Sequence, residues 1–216
     1  MGKTILVTGK DTFLGNEIIQ ILQGAGNKIA STVQPRPDST VHWDIPDQHL
    51  VLPWNRRSSL SSKNLLSDIL ARFGTLDEVW LVLSPELDSR PAGAVPLVEL
   101  DEKLDLGVKG FFCLLRELTT YGKINPHLEI NFVLFRETSH GIGPLSSCIY
   151  SGFKGLGQGT IQTSRDKVRG FEASGQSGDA FLRFLQEEGF NHKAAWGQWH
   201  ILQEKRGFFP GSKGGN

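Results

Sequence analysis

Cysteine is scarce in this sequence: Cys113 and Cys148 are the only two in 216 residues. They stand apart among apolar or small neighbours and without metal-ligand spacing, so neither a disulfide framework nor a thiolate metal centre is expected, and both read as buried thiols. An excess of either charge is also missing, with 23 Lys and Arg against 23 Asp and Glu. No dense basic run occurs, which removes the electrostatic footprint of a nucleic-acid or anionic-membrane surface. No window approaches the roughly 18 apolar residues of a membrane span. Met1, Gly2 and Lys3 lead straight into a strand-like segment, without the apolar stretch of a signal peptide. Internal repeats and low-complexity linkers are absent too. The expectation is a cytoplasmic, single-domain protein whose 38% hydrophobic residues suffice for a sizeable core.

What is there alternates. "TILVT" (4–8) is a β-branched run ending at Gly9, and Leu14, Ile18, Ile21 and Ala25 follow at helical spacing until Gly24 and Gly26 stop them. "KIASTV" (28–33) is a second strand and "TVHWD" (40–44) a short third. Leu65, Leu66, Ile69, Leu70 and Phe73 mark a helix closed by Gly74, and "EVWLVL" (78–83) is a strand. A loop with three prolines covers 84–100, then Leu104, Val108, Phe111, Leu115 and Leu118 line a helix over about 101–121. "EINFVLF" (129–135) is the next strand, followed by a helix over about 148–163. "DKVRGFE" (166–172) is a weakly patterned strand, a helix lies near 178–188, and "GQWHIL" (197–202) closes the series before a loop-like tail. Apolar strands alternating with helices predict an α/β, doubly wound, mainly parallel sheet with helices on both faces. Ligands of such folds bind at the carboxyl edge of the sheet.

Five stretches in this order resemble the short-chain dehydrogenases/reductases over about residues 4–164. "TGKDTFLG" resembles their glycine-rich turn, and "HWDIPD" falls where they have a short strand ending in an adenine-contacting aspartate, here Asp44. "FGTLDEVWLVLSP" resembles their fourth strand, "LDLGVKGFF" their "vNvkG" helix, and "YSGFK" their YxxxK pair, as Tyr150 and Lys154. The resemblance implies a single Rossmann-fold domain over 1–216. Residues 1–164 would form the nucleotide-binding core and 165–216 a short substrate-side lobe with the last strand and tail. It also implies Tyr150 as general acid/base and Lys154 as its tuning group and ribose ligand. Physically, i, i+4 spacing puts both on one helix face, where an ammonium lowers the pKa of a nearby phenol. Thr138, or failing it Ser139, stands near the family's substrate-polarising serine; His140 is a weaker acid/base candidate.

The expected cofactor set is Gly9, Lys10, Thr12, Phe13, Leu14 and Gly15 in the turn, with Arg36, Asp44, Ser84 and Lys154 beyond it. Three departures stand out. Thr12 replaces the middle glycine of the turn in one alignment and Phe13 replaces it in the other, which narrows the approach of a pyrophosphate. Gly107 stands where the family has an asparagine, and "VLSPE" (82–86) replaces NNAG. The second strand ends "STVQPRP" without an acid for a ribose 2′-hydroxyl, while Lys10 and Arg36 suit a 2′-phosphate, so NADP is favoured over NAD. Gly155, Gly157 and Gly159 predict close helix packing, and the resemblance implies a homodimer or homotetramer through the helices near 101–121 and 148–163. Two functions remain open. One is an NAD(P)-dependent oxidoreductase acting on a small carbonyl/alcohol substrate; the other is a non-catalytic dinucleotide-binding, sensor or interaction module.

Overall fold

The computed structural model describes residues 2–35, 48–137, 141–164 and 166–202. Their strands are β1 (Thr4–Val7), β2 (Lys28–Val33), β3 (His49–Pro53), β4 (Glu78–Leu83), β5 (Glu129–Arg136), β6 (Val168–Ser174) and β7 (Trp199–Leu202). They form one sheet in the order β3-β2-β1-β4-β5-β6-β7, with every pairing parallel. The doubly wound sheet predicted from the alternation is therefore present. Helices α2 (Ser59–Phe73), α4 (Gly110–Gly122) and α5 (Pro144–Thr163) cover one face, while α1 (Phe13–Gly24) and α6 (Gly178–Phe184) cover the other. Successive side chains of a strand point to opposite faces, so Val79, Leu81 and Leu83 of β4 enter the first core and Trp80 and Val82 the second.

The strand expected at 40–44, with Asp44 at its end, lies outside the described residues. The strand that pairs with β2 is β3. Leu50 and Leu52 point into the core, while His49 accepts or donates a 2.9 Å hydrogen bond with the buried Ser31. Pro53 ends this edge strand, where its missing N–H breaks no ladder.

Two helices differ from expectation in ways that shape the site. The helix expected over 101–121 starts earlier, as α3 (Leu97–Leu104), and passes through a π turn at Asp105–Lys109 before α4. Gly107 is buried in that turn, and a Cβ there would lie 2.4 Å from Cγ2 of Ile149 on α5. An asparagine does not fit unless Ile149 moves. Helix α5 begins at Pro144, suited to the first turn of a helix because it lacks an N–H.

The glycines of α5 need separate explanations. A Cβ on Gly157 would lie 2.4 Å from the Trp199 ring of β7, so this glycine lets an aromatic side chain seat on the helix. Gly155 and Gly159 meet nothing within 4 Å. Cys148 lies on the exposed surface of α5 and Cys113 is half-buried, so the expectation of two buried thiols is not met; both are free.

A polar ladder crosses the amino end of the sheet. Lys3 bridges Glu78 (2.8 Å) and Glu129 (2.7 Å), Asn131 donates to Glu78 (3.1 Å), and the buried Arg169 donates to Asn131 (2.7 Å). Arg169 also donates to the carbonyls of Gly189 (2.9 Å) and Ala194 (3.1 Å), tying the segment after α6 to the sheet and setting the path into β7.

Candidate functional site

At the carboxyl edge, where the strand order reverses between β1 and β4, lies a cavity of about 560 Å³. Segment ends build its wall: Asp11 and Thr12 after β1, Gln34 after β2, Arg56 after β3, Ser84 to Arg90 after β4, Leu106 and Gly107 in the π turn, and Leu145, Ser146 and Ile149 on α5. This is the crevice in which open α/β sheets bind ligands.

The turn between β1 and α1 is built around two glycines. Gly9 has φ +76°, a conformation that side chains other than glycine adopt rarely. A Cβ on Gly15 would lie 2.1 Å from the Gly9 carbonyl, so the helix can start this close to the strand only with glycine there. Thr12 is the N-cap of α1, with φ −101°. Its hydroxyl accepts from the Gly15 N–H (3.1 Å) and donates to the Gly9 carbonyl (2.7 Å). Thr12 thus replaces a glycine without needing a positive φ. Phe13, the first helical residue, is exposed and leans over Gly178 at the start of α6 rather than into the cavity. The cap spends the Gly15 N–H, leaving those of Phe13 and Leu14 without intrahelical acceptors.

The segment after β4 is clamped to α5. Ser146 accepts from the Asp88 N–H (2.7 Å) and donates to the Glu86 carbonyl (3.2 Å), and the Gly143 N–H reaches the Asp88 carbonyl (2.6 Å). A Cβ on Gly143 would meet the carbonyls of Arg90 and Asp88. Arg90 pairs with Asp88 and Glu99, and Lys103 with Glu86 (2.7 Å). Hydrogen bonds from Arg90 hold the half-buried Asp88 carboxyl down at about 2.

Tyr150 and Lys154 do share a helix face, but neither lines the cavity. Both converge on Glu172 of β6: the Tyr150 hydroxyl donates to Oε1 (2.8 Å) and Lys154 Nζ lies 2.6 Å from Oε2. The indole of Trp199 donates to Oε2 as well (2.6 Å). The Arg136 guanidinium stands 4.5 Å over the Tyr150 ring and donates through Nε to Ser174 (2.9 Å). Burial, and next the hydrogen bond to Glu172, push the Tyr150 phenol well above its ordinary value. This reverses the expectation that Lys154 lowers it: Glu172 stands between the two and takes up the ammonium's charge. Burial alone would raise Glu172, but hydrogen bonds from Lys154, Tyr150 and Trp199 outweigh it and the carboxyl is lowered.

Of the expected site residues, the cavity wall brings together Thr12 and Ser84. Gly9 and Gly15 shape the turn, Leu14 is buried in the core, and Lys10 is half-buried off the wall. Arg36, Asp44, Thr138, Ser139 and His140 lie outside the described residues. Sequence reasoning missed Asp11, Arg56, Ser146 and Glu172. Reading "HLVLP" as the third strand would have placed Arg56 at its carboxyl end; nothing along the chain marks Glu172 as a partner of Tyr150.

No family model and no curated protein matches this sequence. Solved structures do resemble it. A short chain dehydrogenase from Bacillus anthracis superposes with a TM-score of 0.73 at 12% identity, over 93% of this chain and 94% of that one. A putative 3-oxoacyl-reductase from Bacillus thuringiensis gives 0.72 at 11% identity, over 94% and 97%. A Serratia marcescens short-chain dehydrogenase/reductase variant gives 0.71 at 14% identity, over 94% and 96%. The chain has the fold of the short-chain dehydrogenases/reductases. At these identities the likeness is one of fold, and the chemistry must be argued from the site.

Proposed function

We propose that this chain belongs with the short-chain dehydrogenases/reductases and binds a nicotinamide dinucleotide, NADP before NAD, at the carboxyl edge of its sheet. The glycine turn, the uncapped N–H groups of α1 and the cavity at the reversal of strand order support the binding site. The cofactor would supply hydride chemistry; Thr12, Ser84 and the N-terminus of α1 would hold it. On this reading the chain acts first as a dinucleotide-binding module. One observation carries that preference: Tyr150 and Lys154 both engage Glu172 and stand off the cavity wall. A second copy packing on α4 and α5 completes the proposal.

The second reading is an oxidoreductase that moves hydride between nicotinamide and a small carbonyl/alcohol substrate, with Tyr150 exchanging Glu172 for the substrate oxygen. The five ordered motifs favour it. Titration with NADPH and NADH, followed by tryptophan fluorescence, tests the shared claim. Saturable binding is expected, and no binding of either at millimolar concentration overturns it. A carbonyl panel then separates the two readings. Turnover that Tyr150→Phe abolishes establishes the oxidoreductase, whereas no turnover by a protein that binds NADPH leaves the binding module.

A further inference from the structure

The charges around the cavity are mostly matched. Arg90 is taken by Asp88 and Glu99, and Lys103 by Glu86. Arg56 is not: among the described residues it makes no ion pair and a single hydrogen bond, from Nη1 to the Leu106 carbonyl at 3.3 Å. Its guanidinium centre lies 5.0 Å from the Trp54 ring and 4.8 Å from the Phe111 ring, which are edge to face with each other. The backbone is equally confined, since a Cβ on Gly110 would fall 2.5 Å from Cβ of Arg56. The residue is thus fixed at the wall with most of its five N–H donors unspent.

A guanidinium withdrawn from water costs free energy that an anion offsets. Burial pulls Arg56 down to about 10, and Asp11 is the acid acting against that loss. Asp11 is a poor permanent partner, for it stands across the wall on the β1–α1 turn and accepts from the Gln34 N–H at 3.3 Å. The same turn presents the N-terminus of α1, where the Thr12 cap takes only the Gly15 N–H and leaves those of Phe13 and Leu14 free of intrahelical acceptors, a setting favourable to anions. A cation with unspent donors and a helix N-terminus therefore border one cavity.

We propose that Arg56 is the phosphate-recognising side chain of this site, gripping a phosphate ester on the adenosine half of the ligand together with the N-terminus of α1. This rests on the dinucleotide reading above. Two phosphates share that chemistry, the ribose 2′-phosphate and the 5′-linked pyrophosphate. Asp11 competes for the same guanidinium and sets a limit on affinity.

Calorimetry on the full chain with NADPH, NADH, adenosine 2′-monophosphate, adenosine 5′-monophosphate and adenosine tests the assignment. Arg56→Met keeps an apolar stem between the rings and is expected to weaken the phosphate-bearing ligand at least tenfold while leaving adenosine unchanged. Arg56→Lys is expected to recover part of the loss, and Asp11→Asn to tighten binding. Loss confined to the 2′-monophosphate identifies the 2′-phosphate as the ester held, and loss confined to the 5′-monophosphate identifies the pyrophosphate. Equal affinity of wild type and Arg56→Met for NADPH overturns the role of Arg56 and leaves the dinucleotide reading standing. Binding of a monophosphate that depends on Arg56, without binding of either dinucleotide, does the reverse. Wild type that binds none of the five overturns both.

Discussion

A phenol hydrogen-bonded to a carboxylate is a poor acid, because ionising it would place two negative charges in contact. Tyr150 is in that position: its hydroxyl donates a hydrogen bond to Glu172 at 2.8 Å while Lys154 spends its charge on the other carboxylate oxygen at 2.6 Å. The chain has two tyrosines, so ultraviolet titration of wild type against Tyr150→Phe isolates this one. Its ionisation is expected well above the ordinary value of 10.0, and Glu172→Gln should bring it down. A wild-type Tyr150 that titrates near 10 would remove the network from the account. The sign for stability follows from the direction of the shift. The unfolded chain releases the tyrosine proton near 10 and the native state keeps it, so this contribution is complete below that pH and lost as pH rises above it. Urea midpoints should fall less steeply above pH 10 in Tyr150→Phe than in wild type. Glu172 acts in the opposite range: its lowered carboxyl contributes above the ordinary glutamate value and is lost in acid.

Glycine has opposite consequences in two helices of this fold. In α1, Gly15→Ala puts a methyl 2.1 Å from the Gly9 carbonyl, and the backbone on both sides must shift. A loss of about 1–3 kcal/mol is expected from such overpacking, read by denaturant unfolding. In α5, Gly155→Ala meets open space and should gain up to about 1 kcal/mol in an isolated protomer, since glycine costs that much in a helix interior. Equal effects at the two positions would refute this account of the β1–α1 turn. The same contrast explains what could be read in advance. The strands at 28–33 and 78–83 were legible to the residue because almost all of their positions face a core and their apolar runs end at turn signals. The strand at 49–53 was not foreseen because "HLVLP" is short, half-buried and ends in proline. The YxxxK pair was legible as helix spacing, but its destination was not, because Glu172 lies 22 residues beyond Tyr150 on another element. Arg56 and Asp11 were missed for the same reason, since the cavity wall is assembled from segment ends far apart in the chain.

At the scale of the whole molecule, the second copy proposed above would cover the outer surface of α4 and α5. Phe112 is 56% exposed on α4, and Cys148, Ser151, Gly155 and Gly159 are exposed along α5. Small residues let a second helix backbone approach closely, and a large exposed aromatic on the other helix has apolar area to bury. Pairing two such surfaces about a two-fold axis would give a four-helix layer between protomers, and two such contacts a tetramer. Sedimentation equilibrium is expected to return at least twice the 23.9 kDa chain mass. Phe112→Glu should return it to one chain without changing the far-ultraviolet circular dichroism. Gly155→Ala then becomes the sharper probe, because its two effects differ in sign. The added methyl favours the helix within one protomer, yet it obstructs the approach of a second. A variant that melts higher as a monomer but dissociates at higher concentration than wild type is the outcome the packing requires. If wild type sediments as a single chain at tens of micromolar, the α4/α5 surface is simply solvated and Gly155 and Gly159 have no packing role.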